Sequence, residues 1–259
     1  MLNPATQYAD DRNLAARQRF WAGSGRHPEF DLYSWVLELA GLDGAGAAEV
    51  LDVGCGNGPY ERLLVDRGHR GAVVALDASI GMLARVRSEE RVQGDVQRLP
   101  FADSAFDVVL APHMLYHVPE VPAAARECRR VLRPRGVFVA VTNGQDNIRP
   151  YLDLVEAAVG TDWRMRRPAE DHFGLENGSD KLSGAFRLVE RHDCPPSDVL
   201  VTDLDLLVDY IASVGDHYEA EVGMPWATIV ERVRTIAAAE LDRAGQLRWP
   251  THVGAFLCR

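Results

Sequence analysis

An aspartate and three glycines form the clearest chemical pattern in the sequence. Asp52 is followed at alternate positions by Gly54, Gly56 and Gly58, at the end of the apolar run 49–53. Glycine permits positive φ and lets a ligand approach the main chain closely. The first N–H groups of a helix that starts after such a turn lack intrahelical partners and suit a carboxylate. The pattern therefore predicts a ligand-binding loop, although dinucleotide-binding enzymes use a similar turn with the spacing GxGxxG.

A further acidic residue ends the next apolar run. Asp77 follows the strand predicted over 72–76, and a carboxylate at that position of an α/β sheet can bind both hydroxyls of a ribose. Ser79 and Met82, which come next, each have a simple structural explanation, because serine is a good helix N-cap and methionine often fills a core. Together with the glycine loop, however, we interpret this segment as part of a nucleotide-binding site.

Two histidines lie one helical turn apart after a further predicted strand, 108–111. On a helix, His113 and His117 would share a face, an arrangement that suggests a metal pair. Two histidines alone do not make a metal site, so we predict no metal. Two interpretations remain: either histidine acts as a general base near neutral pH, or His117 packs and steadies its loop.

The elements that would position these residues alternate between short apolar strands and helices. The predicted strands are 49–53, 72–76, 92–93, 108–111, 137–141, 186–189, 199–201 and 252–258. The predicted helices are 60–67, 80–88, 121–132, 151–159, 204–214 and 228–241. Continuously apolar strands suit a parallel sheet that is covered on both faces. The alternation therefore predicts a doubly wound, Rossmann-like α/β fold.

Three segments, in this order, resemble the signatures of class I S-adenosylmethionine-dependent methyltransferases. Residues 50–58 resemble motif I of that family, and residues 77–83, Asp-Ala-Ser-Ile-Gly-Met-Leu, resemble its D-x-S-x-x-M-L signature. Residues 94–101 resemble the third signature, and residues 117–119, His-Val-Pro, match the family's pattern after the fourth strand. Three signatures in the right order and separation are far more specific than any one. The resemblance covers residues 48–141.

The resemblance implies S-adenosylmethionine as the cofactor and S-adenosylhomocysteine as its product. Asp77 would then bind the ribose, Asp95 would accept the adenine amino group, and Met82 would lie against the ring. The cofactor contacts implied within the shared region are Asp52, Gly54, Cys55, Gly56, Asp77, Ala78, Met82, Asp95, Val96 and Ala111. The resemblance also implies a seven-stranded, mostly parallel sheet whose last strand, 252–258, is antiparallel.

The segments outside this region are expected to form a lid. In related small-molecule methyltransferases an N-terminal helix with a tyrosine and an arginine closes over the cofactor, and Tyr8 and Arg17 match that pattern. Arg17 would pair with the cofactor carboxylate. The alternative is an ordinary surface helix. We therefore divide the chain into a helical lid segment, 1–47, a cofactor-binding core, 48–143, and lid insertions with the final strands, 144–259.

Composition argues against several classes of partner. The formal net charge is -10, which would repel a nucleic acid unless a local basic patch overrode it, and we interpret the arginine clusters as solvated helix faces or helix ends. The sequence has no apolar run of about 18 residues and lacks the apolar region of a signal peptide, so we expect a cytoplasmic protein without a membrane span. The four cysteines form no CxxC pair, which indicates reduced thiols.

The function expected from the sequence is methyl transfer to O, N or C of a small molecule. Attack on a sulfonium methyl is an in-line displacement, and holding the acceptor in line with the methyl group can supply most of the acceleration. A base is therefore required only when the acceptor must lose a proton early. A tailored lid and the lack of basic surface favour a specialised metabolite as acceptor. The alternatives are methylation of RNA or protein, a cofactor-binding protein without methyl transfer, and a nicotinamide oxidoreductase. The sequence leaves open whether the protein is a monomer or a homodimer.

Overall fold

The computed structural model describes residues 12–160, 163–165, 172–215 and 218–259. The chain forms two compact units, each assembled from three separate segments. The core unit comprises Asp31–Gln145, Arg167–Cys194 and Val253–Arg259, and the second unit comprises Met1–Phe30, Asp146–Arg166 and Pro195–His252. The division predicted from the sequence at residues 47 and 143 does not follow these boundaries. Residues after 167 contribute to the core unit because strands from the end of the chain complete its sheet.

The described residues contain ten strands and ten α-helices, named here in chain order. The strands are β1 Gly25–His27, β2 Val50–Val53, β3 Val73–Asp77, β4 Arg91–Gln93, β5 Phe106–Pro112, β6 Leu132–Asn143, β7 Val189–Asp193, β8 Ser197–Val201, β9 Leu247–Thr251 and β10 Val253–Cys258. The helices are α1 Arg12–Gly23, α2 Leu32–Leu39, α3 Pro59–Asp66, α4 Ile80–Leu83, α5 Val121–Val131, α6 Arg149–Val159, α7 Gly178–Ser183, α8 Leu204–Ala212, α9 Glu219–Val222 and α10 Trp226–Ala244, with a 3₁₀ turn at Leu115–His117.

The core unit contains a seven-stranded sheet in the order β4-β3-β2-β5-β6-β10-β7. The first five strands in this order pair in parallel, whereas β10 is antiparallel to both of its neighbours. This arrangement confirms the predicted Rossmann-like sheet and its antiparallel last strand. Parallel strands joined by helical crossovers bring their carboxyl ends to one edge of the sheet, where an open α/β sheet binds its ligand.

Alternate residues of the central strands enter different apolar clusters. Leu51 and Val109 belong to one cluster, while Val50, Val108 and Leu110 belong to another. Successive side chains of a strand point to opposite faces, so each face of the sheet is covered by its own apolar layer. All four residues of β2 are buried, which explains why its sequence is apolar apart from one aspartate.

Two predicted elements differ from the observed ones. The helix predicted over 80–88 ends at Leu83, and the strand predicted over 186–189 begins only at Val189. Phe186 instead ends the turn after α7, where its N–H donates to the Leu182 carbonyl, and its ring stacks on Phe138 with centroids 5.1 Å apart. Phe186 therefore makes a packing contact before the strand, whereas Leu188 already exchanges main-chain hydrogen bonds with Arg259.

The arginines near the end of α5 have a structural role that the sequence did not indicate. Arg130 binds both carboxylate oxygens of Glu127 at 2.8 Å and donates to the main-chain carbonyls of Leu99 and Phe101. Glu127 also accepts the N–H of Leu99 at 2.9 Å. The pair therefore holds the loop after β4 against α5. Arg130, at least, is not the simple solvated residue that we predicted.

We expect Glu127→Gln to destabilise the protein by about 1.5–3 kcal/mol, because hydrogen bonds to a charged group in a partly buried position are lost. Arg130 lowers the pKa of Glu127 below its ordinary value of 4.5, so this stabilisation is present above that value and is lost as the pH falls through the folded pKa. Denaturant unfolding at pH 7 and at pH 4 measures the effect. Asp103→Asn is the matched control, since it removes a carboxylate that binds the same arginine but is 78% exposed. Equal losses of unfolding free energy in the Glu127 and Asp103 variants would contradict the stabilising role of the Glu127–Arg130 pair.

The second unit has its own sheet and core. Strands β1, β8 and β9 form an antiparallel sheet in the order β1-β8-β9. Helices α6, α8 and α10 contribute to an apolar core in which Phe20 contacts Tyr210 and Trp249, with ring centroids 4.5 and 5.9 Å apart. Among the described residues, no helix combines the length and apolar character that crossing a bilayer requires. The lid role of this unit stays a prediction.

Candidate cofactor site

The loop between β2 and α3 has the backbone conformation for which glycine is suited. Gly54, Gly56 and Gly58 have φ values of 64°, 55° and 79°, in the left-handed region that side chains disfavour. Helix α3 then starts with Pro59, whose missing N–H costs nothing at the first helical position. The loop thus exposes main chain directly before a helix N-terminus.

Gly54 is required for close packing as well as for its φ. A Cβ at this position would lie 2.6 Å from Cβ and 2.7 Å from Cγ of Met114, in the loop that follows β5. The glycine loop therefore lies directly against the segment that carries the two histidines. This contact brings two parts of the site together that are far apart in the sequence.

Asp77 anchors the same loop from the end of β3. Its Oδ2 accepts the N–H of Gly56 at 2.9 Å and its Oδ1 accepts the N–H of Ser79 at 2.8 Å. Burial raises the pKa of Asp77 above its ordinary value, while the main-chain hydrogen bonds oppose that rise. The carboxylate therefore holds Gly56 at the end of the neighbouring strand, in a position suited to ribose hydroxyls.

Asp52 is a fully buried carboxylate without a hydrogen-bond partner among the described residues. Burial raises its pKa well above the ordinary 3.8, and the negative charges of Asp77 and Glu61 add to the rise. An isolated buried carboxylate is costly, and the usual compensation is a cation that donates hydrogen bonds. Asp52 lies in β2, two residues before Gly54, and its contact with a cofactor stays a prediction.

Neutralising Asp52 is expected to stabilise the ligand-free protein. Asp52→Asn removes an uncompensated buried charge, and we expect a gain of roughly 1–3 kcal/mol at pH 8. The raised pKa sets the sign: the destabilisation is absent below the ordinary 3.8, grows as the pH rises from 3.8 towards the folded pKa and is constant above it, so the gain should shrink towards pH 4. Thermal unfolding across this range measures it. A destabilised variant at pH 8 would contradict the assignment of an unpaired charge.

Four further residues predicted to contact the cofactor lie after β3 and β4 but differ in exposure. Asp95 is exposed, and its Oδ1 accepts the N–H of Gln97 at 2.9 Å. Ala78 is exposed, whereas Val96 and Met82 are 5% and 1% exposed. The nearly complete burial of Met82 leaves its side chain little surface for a ring, so its contact with adenine stays a prediction, as do those of Asp95 and Val96.

Cys55 and Ala111 complete the predicted contacts, and both are buried. Cys55 is 3% exposed and packs with Ala75, Leu83 and Val86, and burial raises the pKa of its thiol well above the ordinary value. Ala111 lies in β5 with no exposed surface. Any contact of these two residues with a cofactor would therefore involve mainly their main chain.

The two histidines lie on the loop that follows β5. His113 has a φ of 54°, which is uncommon for a residue with a side chain, and its N–H donates to the Val141 carbonyl at 3.0 Å. His117 ends the 3₁₀ turn, where its ring lies 4.6 Å from that of Tyr116. Ser104, Arg135 and Ile148 also have positive φ, so this conformation does not by itself mark a functional site. A base role for either histidine stays a prediction, and no group of three metal-ligating side chains occurs within the described ranges.

The N-terminal pair predicted to close over the cofactor is only partly described. Tyr8 lies outside the described residues. Arg17 lies in α1, and its guanidinium donates to the carbonyl and the hydroxyl of Ser213 at 3.0 and 3.3 Å. Ser213 caps the C-terminal end of α8, where a cation is favourable. Pairing of Arg17 with a cofactor carboxylate stays a prediction.

Glu61 is a buried acid that was not predicted from the sequence. This residue lies in the first turn of α3, is 1% exposed, and its Oε2 has no hydrogen-bond partner among the described residues. A glutamate in the first turn of a helix is ordinarily explained by the helix dipole. The spacing of apolar positions in α3 indicated only weakly that the side chain of Glu61 faces inward. Its burial could therefore be seen only in the structure.

This fold, with its glycine loop and acidic strand ends, resembles that of class I methyltransferases. The family model described as a methyltransferase domain matches residues 51–140. The match starts in β2 and ends in β6, so it covers the glycine loop, Asp77 and the histidine loop.

Curated relatives agree with this class. A malonyl-[acyl-carrier protein] O-methyltransferase of Serratia marcescens is 36% identical over 116 residues, 43% of this chain and 45% of the relative. The corresponding enzyme of Enterobacter lignolyticus is 34% identical over 171 residues, 63% of this chain and 65% of the relative. A sterol 24-C-methyltransferase of Gibberella zeae is 28% identical over 160 residues, 58% of this chain and 42% of the relative. The matches thus span about half to two thirds of these relatives.

Solved structures share the fold at low sequence identity. A protein described as a methyltransferase of an antibiotic biosynthesis pathway from Anabaena variabilis superposes with a TM-score of 0.64 at 16% identity, covering 88% of this chain and 96% of that one. The [4+2]-cyclase SpnF superposes with a TM-score of 0.51 at 21% identity, covering 88% of this chain and 80% of that one. These likenesses extend the shared fold well beyond residues 51–140.

Proposed function

We propose that this protein transfers a methyl group from S-adenosylmethionine to an O, N or C atom of a small molecule. The observation that carries the proposal is the left-handed glycine loop lying over the buried, unpartnered carboxylate of Asp52 and tied to Asp77 at the end of the next strand. A ligand that combines an ammonium group, a carboxylate and a ribose satisfies all three features. S-adenosylmethionine has this combination, whereas a nicotinamide dinucleotide has no amino acid moiety to pair with Asp52.

The residues of the site have separate tasks in this proposal. Asp52 would bind the ammonium group, the N–H groups at the start of α3 would bind the carboxylate, and Asp77 would bind the ribose. The cofactor supplies an activated sulfonium methyl, so the protein has mainly to hold the acceptor in line with it. His113 and His117 are the candidate bases for an acceptor that must lose a proton before attack.

The chain's charges bear on the class of acceptor. The malonyl-[acyl-carrier protein] relatives act on a group carried by a protein, whereas the sterol methyltransferase acts on a lipid. Docking of an acidic carrier would require free basic surface, and two arginines of the most basic segment, Arg130 and Arg133, are already paired with Glu127 and Asp107. With a net charge of -10, a free small molecule is the favoured acceptor, and a specialised metabolite fits best.

A second candidate function is cofactor binding without methyl transfer. The fold is shared with a [4+2]-cyclase, and a fold does not by itself determine the reaction. The intact glycine loop and Asp77 would serve cofactor binding in either case. The two candidates therefore differ only in what happens after the cofactor is bound.

Calorimetric titration tests the cofactor, and isotope transfer tests the reaction. S-adenosylhomocysteine should bind and NAD should give no heat, whereas the reverse result would overturn the proposal. A panel of small hydroxylated and amine acceptors is then incubated with cofactor that carries a tritiated methyl group. Label in an acceptor supports methyl transfer. Binding of S-adenosylhomocysteine without label in any acceptor, including malonyl thioesters, would favour the second candidate.

A further inference from the structure

Asp95 is an exposed residue whose carboxylate is nevertheless held in one orientation by Gln97. The Oδ1 atom of Asp95 accepts the main-chain N–H of Gln97 at 2.9 Å, and the side-chain amide nitrogen of Gln97 lies 3.2 and 3.1 Å from Oδ1 and Oδ2. The turn that carries both residues is closed by the N–H of Arg98, which donates to the Asp95 carbonyl at 2.9 Å. Gln97 therefore binds the Asp95 carboxylate through both its main chain and its side chain.

The oxygen of the same Gln97 amide is bound to the start of helix α5. This Oε1 accepts the N–H of Glu120 at 3.1 Å, and Glu120 is the N-cap residue of α5. A glutamine amide carries donors on its nitrogen and an acceptor on its oxygen, so it can bind a carboxylate on one side and an N–H on the other. The opposite orientation of the amide would set oxygen against oxygen and N–H against N–H. The two partners together therefore determine which way the amide faces.

These bonds leave Asp95 a lone pair with which it can accept a hydrogen bond from a ligand. An ionised carboxylate has about four lone-pair sites and no donor. Gln97 uses two of these sites on Oδ1 and one on Oδ2. A side chain that is already held in one conformation loses less conformational entropy when a ligand binds to it. The remaining site on Oδ2 therefore favours an N–H donor and disfavours a carbonyl oxygen.

We propose that Gln97 is a positioning residue that sets the choice of nucleobase: it fixes the Asp95 carboxylate as an acceptor, so that the site selects a 6-aminopurine over a 6-oxopurine. This inference rests on the proposed function and on the predicted contact of Asp95 with the adenine amino group. It adds the residue that orients Asp95 and the anchor of that residue on α5. Because Gln97 would act through Asp95 and not touch the ligand, its removal should change the preference between the two bases.

The test compares S-adenosylhomocysteine with S-inosylhomocysteine, in which an oxygen replaces the 6-amino group of the base. In titration calorimetry the wild-type protein should prefer S-adenosylhomocysteine by about tenfold or more. Gln97→Leu keeps a side chain of similar size without its hydrogen bonds. It should weaken S-adenosylhomocysteine roughly fivefold or more and change the affinity for S-inosylhomocysteine by no more than about twofold. If this variant keeps the full preference, or weakens both ligands equally, the inference is wrong.

Gln97→Glu separates the two bonds of the amide. This variant keeps an acceptor for the N–H of Glu120 but has no donor for Asp95, so it should lose the base preference as Gln97→Leu does. It also gives the answer if Gln97→Leu does not fold. Full preference in the glutamate variant would mean that Gln97 only anchors α5, which overturns the inference.

Gln93→Leu is the matched control. Gln93 is the other glutamine at this end of the sheet, in β4, and its amide donates to the Ala78 carbonyl at 3.0 Å. The substitution removes a glutamine side chain of the same kind without removing a bond to Asp95, so the ratio of the two affinities should stay unchanged. A change in this ratio as large as that of Gln97→Leu would overturn the inference.

The wild-type protein and a double variant separate this inference from the proposed function. If wild-type protein does not bind S-adenosylhomocysteine, the proposed function fails and the inference fails with it. If it binds both ligands equally, only the inference is overturned. Asp95→Ala alone should abolish the preference, and adding Gln97→Leu should then have no further effect, because the two residues act on one contact. Additive losses of affinity would contradict a positioning role for Gln97.

Discussion

Gly56→Val is expected to reduce the affinity for S-adenosylhomocysteine at least about 100-fold, to the point where calorimetry detects no binding. Gly56 has a φ of 55°, and its N–H is held by Asp77 in the centre of the loop. A branched side chain would both strain this backbone and stand where the ligand must approach the main chain. The large effect follows because the main chain itself forms the binding surface.

Gly68→Val is the control that distinguishes loss of ligand binding from the effect of backbone strain on stability. Gly68 follows α3, has a φ of 75°, and its Cβ would meet no atom within 4 Å. The two variants should therefore lose similar stability in thermal unfolding, while only the Gly56 variant loses the ligand. If a folded Gly56 variant bound S-adenosylhomocysteine normally, the glycine loop would not be part of the binding site.

Asp77→Ala is expected to weaken every adenosine ligand by about 100-fold or more. The carboxylate would make charge-assisted hydrogen bonds to two ribose hydroxyls, each worth roughly 1.5–3 kcal/mol. The variant also releases the N–H of Gly56 and so loosens the loop. Titration with S-adenosylhomocysteine and with 5′-methylthioadenosine, which lacks the amino acid moiety, measures the loss.

The affinities for the two ligands distinguish the role of Asp77 from that of Asp52. Asp77→Ala should affect both compounds, whereas Asp52→Asn should weaken only the compound with an amino acid moiety. Asp103→Asn, at a carboxylate that binds Arg130 and is 78% exposed, should leave both affinities unchanged. Retention of 5′-methylthioadenosine binding by Asp77→Ala would contradict the ribose assignment.

Much of the core unit could be predicted from the sequence because its determinants are local. The apolar runs of β2, β3 and β5 are continuous since both faces of the sheet are covered, and the glycine pattern marks a backbone that other residues disfavour. The antiparallel last strand was predicted only through the family resemblance. Asp77 was predicted correctly as a residue at the end of β3, since a strand end is visible in the sequence.

Other features could not be predicted because they depend on contacts between distant segments. Helix α4 stops at Leu83 although its sequence continues in a helical pattern, and Val86 packs instead with Cys55. Arg130 was predicted to be a solvated residue, but it donates to the main-chain carbonyls of Leu99 and Phe101 in the loop after β4. The second unit draws on three separate segments, so no local change of composition marks its boundaries.

The sequence alone thus determined the sheet, the glycine loop and the acids at the strand ends, because backbone conformation and strand burial depend on residue type and spacing. Only the tertiary structure decided that Glu61 is buried almost as completely as Asp52 and that Met114 lies against Gly54. It also placed the guanidinium of Arg17 on Ser213. The physical reason is that burial and charge proximity are properties of the packed chain, which brings together residues whose separation along the sequence carries no information about their distance.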